Sequence, residues 1–409
     1  MRLLAVLALL LPLQARAEAV PVFNPTGPDA AAYGQAEGYL VHNIGPDREQ
    51  RYLVGAFSHQ EQLLPFHPVA KSATPAPLAR AAKELAMHYR YQGRVYSLAE
   101  YLDRNPTTGL LILRDRSILF EHYQYARTDT DHFTSHSMAK TVTSMLVGIA
   151  VSEGKIKSID DLAQIYVPEL AGSEIGATSI RALLHMASGI AFRETYDGHD
   201  DAAALSRALW ARNSQGPAAA IRQFNTREAA PDTQWLYKGV DTEALGLVLT
   251  RAVRMSQADY LAARIWSRIG TEADASWNTD AKGQEAAFCC LNATLRDWAR
   301  LGDLLANDGA FNGQQIIPAA WVRAATTPSA PFLQPGTSAG YFGYGYQVWL
   351  FPGERRQFAL QGVHGQSIFV DPPTKTVLVH TAVRRKPSRD PTTAELIALW
   401  QALIAQSGG

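Results

Sequence analysis

The sequence predicts an α+β fold: an antiparallel β-sheet flanked by helices, built from both ends of the chain, with a large mainly helical part inserted between them. Three observations carry this expectation. Residues 109–123 hold two short apolar runs around the charged turn Arg114-Asp115-Arg116, the pattern of a hairpin. Strand patterns return only near the C-terminus, at 344–350, 358–370 and 376–382. Between them, roughly over 137–328, the stretches are mainly helical, so the sheet has to be assembled from the two ends.

Taken from its start, the chain has Arg2, an apolar run over 3–13 and Ala15-Arg16-Ala17 before Glu18. That predicts a secretory signal over 1–17, too short to span a bilayer, and a mature chain that is exported, periplasmic or secreted. Without Arg2 and Arg16 there are 36 basic against 38 acidic residues, a balance that favours neither nucleic acid nor an anionic membrane. Residues 18–77, rich in Pro, Gly and Ala with little periodicity, predict an irregular N-terminal arm. Residues 78–136 predict the first part of the sheet domain, 137–328 the helical domain, and 329–409 the second part of the sheet domain, closed by an amphipathic helix at about 392–405.

Cys289 and Cys290 are adjacent and are the only cysteines. Neighbouring Cα atoms sit closer than an unstrained disulfide prefers, so two buried thiols are expected rather than a vicinal bridge. No metal and no cofactor is expected, since this pair offers no metal-ligand spacing. Asn292-Ala293-Thr294 is a formal glycosylation sequon in a stretch expected to be helical, and is read as incidental.

Chemistry enters at Ser137-Met138-Ala139-Lys140. Met138, Val142, Met145, Leu146 and Ile149 continue it at helical spacing, so Ser137 and Lys140 should share a helix face with the amine beside the hydroxyl. A second Ser-x-x-Lys, Ser152-Glu153-Gly154-Lys155, is a decoy, because Gly154 reads as a helix C-cap and splits the pair between a helix end and a turn. Further on, 183–190 leads into a polar loop over 192–201. Residues 235–246 run from an extended segment into a helix, with Asp241 expected as its N-cap. The glycines of 358–372 would let a ligand approach that strand closely.

With these residues in view the chain resembles the serine β-lactamase and penicillin-binding superfamily, specifically the class C-like hydrolases and esterases that include the 6-aminohexanoate-dimer (nylon-oligomer) hydrolases. The resemblance runs from about Gly109 to Ala382. It rests on Ser137-Met138-Ala139-Lys140, on Leu183-Leu184-His185-Met186-Ala187-Ser188-Gly189, and on Tyr237-Lys238-Gly239 in the place of a Tyr-x-Asn motif. Leu291 to Asp297 and the strand from Gly362 to Pro372 also match.

The resemblance implies that Ser137 attacks a carbonyl, with Lys140 and Tyr237 together taking its proton, and that water hydrolyses the acyl-enzyme. Which of Lys140 and Tyr237 holds the proton at rest is left open by the residues alone. It also implies an oxyanion hole from the backbone N–H groups of Ser137 and Val363. Tyr196, Leu360, Gly362 and His364 are the expected substrate contacts. Two departures matter: Gly239 replaces the asparagine of the second motif, and Leu360 replaces the cation that usually opens the third. Both turn the expectation away from β-lactams and toward a small-molecule ester or linear amide. A β-lactamase or D-Ala-D-Ala carboxypeptidase, and a non-catalytic penicillin-binding-like recognition protein, are the alternatives.

Overall fold

A computed structural model describes residues 18–44, 49–338 and 340–408; the expected signal segment lies outside the described residues. Nine strands form the main sheet among them: β1 (Val22–Phe23), β2 (Ala79–Arg80), β3 (Thr107–Arg114), β4 (Ser117–Tyr123), β5 (Gly343–Tyr344), β6 (Trp349–Leu350), β7 (Phe358–Gly362), β8 (Gln366–Asp371) and β9 (Thr376–Ala382). Their order is β1-β4-β3-β9-β8-β7-β6-β5, with β2 beside β4. β1 and β2 run parallel to β4, and the other pairings are antiparallel. The N-terminal hairpin thus meets the C-terminal strands at β3 and β9, as expected. Asp115 and Arg116 close the β3-β4 turn with φ of 45° and 64°, the left-handed pair that matches the twist of a two-residue hairpin.

Alternation along the strands serves two cores, because both faces of the sheet are covered. Leu111, Leu113, Phe358, Leu360, Ile368 and Val379 join the core shared with the helical layer. Leu110, Ile112, Phe369 and Leu378 face Leu396, Leu399 and Trp400 of the C-terminal helix.

Four helices frame the molecule: α1 (Ala139–Ser152), α2 (Gly239–Val253), α3 (Leu295–Ala306) and α4 (Thr392–Gln406). α1 packs on α2, and its residues from Ala139 to Ala150 are all buried, so it is a central helix rather than one with a single apolar face. α3, although inside the stretch expected to be the helical insertion, lies on β8 and β9. Gly302 makes that contact possible, since a Cβ there would meet Val377 at 2.4 Å.

Several expectations need correction. The strand expected at 344–350 is two strands, β5 and β6, separated by a turn in which Gln347 has φ of 58°. The reason is the Gln347 side chain and backbone: the amide donates to Leu183 O and accepts from Thr242, while its carbonyl accepts from Thr141. That residue is a polar tie between helices. The stretch expected as one strand over 358–370 folds back as β7 and β8, paired from Phe358↔Val370 to Gly362↔Gln366. Asp241 is inside α2 rather than capping it; the cap is Lys238, and the buried Asp241 carboxylate accepts from Ser188 N instead. The sequon's Asn292 and Ala293 lie on a buried strand, Leu291–Ala293, and its Thr294 caps α3.

The N-terminal arm is not irregular throughout. β1 joins the sheet edge, and Phe66–Val69 pairs with Ala275–Asn278 in a second, four-stranded sheet that also holds Leu291–Ala293 and Phe133–Thr134. A short helix, Leu53–Ser58, is wholly buried with Tyr33, Tyr39 and Tyr125. Its Phe57 ring lies 4.5 Å from that of His136 and 5.0 Å from that of His364, so the arm buttresses the turn before Ser137.

Candidate active site

Ser137 sits in a short 3-10 turn, His136–Met138, that leads directly into α1. The turn is pinned from behind: Ser135 N donates to Leu291 O at 2.7 Å, and Leu291 N donates to Ser135 Oγ at 3.0 Å. His136 has φ of 40°, a left-handed conformation that a non-glycine residue adopts only when its surroundings impose it. Strain at that residue presents the Ser137 hydroxyl, which is half-buried and reachable, at the mouth of the cleft.

Lys140, one turn on, is buried, with Nζ 3.0 Å from Ser137 Oγ and 2.9 Å from the Phe288 carbonyl. Burial pulls the Lys140 amine from 10.5 down to about 8, against the opposing pull of the Glu194 and Glu243 carboxylates. An amine near 8 is available as a base close to neutrality. The decoy pair behaves as expected: Ser152 ends α1, its hydroxyl bonds back to Ile149 O, and Gly154 is left-handed with φ of 66°.

The Tyr237 ring lies 5.0 Å from Lys140 Nζ. Trp349 and Tyr344 surround it at 5.3 and 6.4 Å. Burial first, and the Glu194 charge second, push the Tyr237 phenol well above its usual 10, against a smaller pull from Ser137. The two environments separate the pair: lysine is the group that loses its proton near neutrality, and tyrosine keeps its own.

Gly362 shows why the third motif needs glycine. A Cβ there would meet the Ser135 carbonyl at 2.5 Å and His136 Cβ at 3.0 Å. What approaches this strand is the turn that carries Ser137, and Val363 lines the cleft beside that serine.

Not every expected substrate contact is there. Leu360 is fully buried in the core between sheet and helices, because β7 alternates and Phe358 and Leu360 share the inward face; Gln361 lines the cleft instead. His364 is buried behind the cleft, its Nδ1 2.6 Å from the Arg384 carbonyl. Tyr196 does reach the cleft, with its hydroxyl donating to Glu194 at 2.5 Å.

Glu194 was not singled out in the sequence and is the main addition. Its second oxygen accepts from Gly239 N at 2.6 Å, so it occupies the side of the second motif where the asparagine is missing. Its position two residues before Tyr196, in a polar loop held by Asp200, was the available signal. Cys289 and Cys290 form a vicinal disulfide rather than two thiols. The left-handed Cys290, φ of 71°, is the backbone adjustment that accommodates it. His132 and His136 stand four apart, but strand Phe133–Thr134 separates them and no metal-type cluster is found among the described residues.

A two-sided sheet, a helical layer, and a serine beside a buried lysine and a tyrosine at their junction define a serine hydrolase of the β-lactamase fold. The chain belongs to the beta-lactamase family, whose profile matches residues 97–401. It is similar to the 6-aminohexanoate-dimer hydrolase of Paenarthrobacter ureafaciens, 28% identical over 334 residues, 79% of this chain and 83% of that one. A Bacillus anthracis structure with a provisional 6-aminohexanoate-dimer hydrolase name is 26% identical with a TM-score of 0.77, covering 87% of this chain and 94% of that one. A family VIII carboxylesterase, 17% identical at a TM-score of 0.55 over 73% of this chain and 93% of that one, shares the fold.

Proposed function

We propose that the protein is an exported hydrolase that cleaves an ester or a linear amide through an acyl-Ser137 intermediate. The observation that carries this reading is Lys140 Nζ at 3.0 Å from Ser137 Oγ, with burial holding that amine at about 8. Neutral Lys140 takes the Ser137 proton as Oγ bonds to the substrate carbonyl carbon. The resulting oxyanion accepts from the N–H groups of Ser137, in the first turn of a helix, and Val363. The bond to the leaving oxygen or nitrogen then breaks as that atom takes a proton from the Tyr237 phenol, which Lys140 ammonium replenishes. Water repeats the sequence in reverse to free Ser137.

Support for a linear substrate comes from Gly239, whose N–H is already held by Glu194 where an acylamino-binding asparagine would stand. The likeness to a 6-aminohexanoate-dimer hydrolase points the same way. Export is supported by the leader-like residues 1–17 and by the disulfide, which persists in oxidising compartments. A fluorophosphonate probe should label Ser137, and Ser137→Ala should abolish labelling while the far-UV circular dichroism stays unchanged. Labelling that survives this change, or a folded wild type that neither labels nor turns over any ester, would refute the reading.

A further inference from the structure

The vicinal disulfide stands between the two ties that assemble the site. On its N-terminal side the Phe288 carbonyl accepts from Lys140 Nζ at 2.9 Å. On its C-terminal side Leu291 N donates to Ser135 Oγ at 3.0 Å, and the Leu291 carbonyl accepts from Ser135 N at 2.7 Å. Cys289 and Cys290 are the only residues between these ties, so they set the distance from the lysine's acceptor to the turn that carries Ser137. Bridging adjacent cysteines closes a small ring through their shared peptide bond, and in this ring Cys290 has φ of 71°. An unbridged cysteine is disfavoured there, because its Cβ crowds the backbone. The flanking chain is anchored without the sulfurs: Trp277 Nε1 donates to the Ala286 and Cys289 carbonyls, and Asn278 N to that of Cys290. Opening the bridge therefore frees the turn, while these anchors confine the change to the residues around it, Phe288 among them. Both cysteines line a lobe of the cleft of about 260 Å³ together with His136 and Ser137, so a small reagent that reaches the serine also reaches them.

We propose that the Cys289–Cys290 bridge is a thiol-exchange site that controls the hydrolytic centre: closed, it keeps the Phe288 carbonyl on Lys140, and a small dithiol that opens it releases that carbonyl and lowers activity. This rests on the acyl-serine reading above. In the exchange, one thiolate of the dithiol attacks a bridge sulfur, forming a mixed disulfide and expelling the other cysteine as a thiolate that takes a proton. The second thiol of the reagent then attacks its own end of the mixed disulfide and frees the remaining cysteine. The protein gains two electrons and two protons, and the reagent leaves as a cyclic disulfide. With the Phe288 carbonyl withdrawn, Lys140 Nζ is no longer held between that acceptor and Ser137 Oγ. Its four-carbon stem is then free to carry the amine out of reach of the serine proton.

The chain has no other cysteine, so a thiol titration reports this bridge alone. Wild type is treated with dithiothreitol without denaturant, freed of reagent under anaerobic conditions, and assayed for free thiols, far-UV circular dichroism and kcat/KM on p-nitrophenyl acetate. Two thiols should appear with the circular dichroism unchanged, and kcat/KM should fall by at least ~10-fold, the scale of a displaced catalytic group. Oxidised glutathione should restore it. Two paired variants separate the bridge from the backbone it imposes. Cys289→Ala with Cys290→Ala should have the activity of the reduced protein whether or not dithiothreitol is added. Cys289→Ala with Cys290→Gly, in which glycine takes the left-handed turn freely, should exceed that pair by about fivefold. Reduced wild type with two thiols counted and an undiminished rate overturns the inference and leaves the hydrolase reading standing. So does a native protein in which no thiol appears, or an alanine pair as active as oxidised wild type. Loss of the circular dichroism on reduction would show a bridge that only staples the fold, and also overturns it. An oxidised wild type that turns over no ester sinks the hydrolase reading and this inference with it.

Discussion

Replacing Lys140 with methionine should abolish turnover and, at pH 7, make the protein more stable. Methionine keeps the length of the side chain and removes the charge. The fall of the Lys140 amine from 10.5 to about 8 means that the fold holds its ammonium at a cost of about 3 kcal/mol at pH 7, a tenfold change in proton affinity being worth about 1.4 kcal/mol. The substitution also leaves the Phe288 carbonyl without its donor, which costs about 1–3 kcal/mol. The net gain is then roughly 0–2 kcal/mol at pH 7. Its pH dependence identifies its origin. Between about pH 8 and 10.5 the unfolded wild type binds more protons at this lysine than the folded protein does, so wild-type stability rises with pH across that window. The advantage of Lys140→Met should therefore shrink from pH 7 to pH 10 and reverse there, since the orphaned carbonyl remains. Glu243, whose carboxyl burial pushes up to about 8 against the pull of the Lys140 charge, titrates in the same window, so the comparison is made in a Glu243→Gln background to isolate the lysine. Urea unfolding at the two pH values measures it through the midpoints at equal slope. A variant that is less stable at pH 7, by a margin that does not change at pH 10, would refute a buried, destabilised ammonium.

The same group should govern activity: kcat/KM for a neutral ester should rise with pH through an apparent pKa of about 8, as Lys140 loses its proton. Because the Glu194 charge raises the Lys140 pKa, Glu194→Gln should move that rise to lower pH; a shift to higher pH would contradict the placement of this carboxylate. Lys140→Ala and Tyr237→Phe should each lower kcat by at least ~100-fold, with the double variant scarcely worse than the poorer single one, and multiplicative losses would show the two acting separately. Gly362→Ala should cost ~100- to 1,000-fold in kcat by pushing the strand away from the Ser135 carbonyl and misplacing Val363 N–H, an effect that kcat measured beside the unfolding midpoint separates from loss of folded protein.

The parts of the site that could be read from the sequence were those fixed by local geometry. Ser137 and Lys140 are one turn apart, so helix spacing alone brings them together, and Gly154 exposes the competing pair. The hairpin at 109–123 and the final helix were legible for the same reason. What could not be read depends on which way a strand faces and on partners far away in the chain. Leu360 was aligned by its distance from Gly362, yet the alternation of Phe358 and Leu360 carries both into the core and leaves Gln361 in the cleft. Gln347 breaks an apparently continuous strand because three helix segments use its polar atoms. Glu194 acquires its role only when the loop that carries it meets Gly239, and the cysteine pair bridges because Cys290 takes up a left-handed backbone.

The contact between Gly362 and the turn before Ser137 has a consequence for the birth of the enzyme. Ser137 and the strand proposed to complete its oxyanion hole are more than two hundred residues apart in the chain. On a ribosome the serine and its lysine emerge long before Gly362 and Val363, and β7 enters the sheet only beside β8, which in turn hangs on β9 and the early hairpin. A nascent or truncated chain therefore carries Ser137 and Lys140 without Val363, the proposed second oxyanion donor. On the proposed mechanism hydrolytic power arrives last, and a chain cut before β7 should be inert toward esters however well its helical layer has formed.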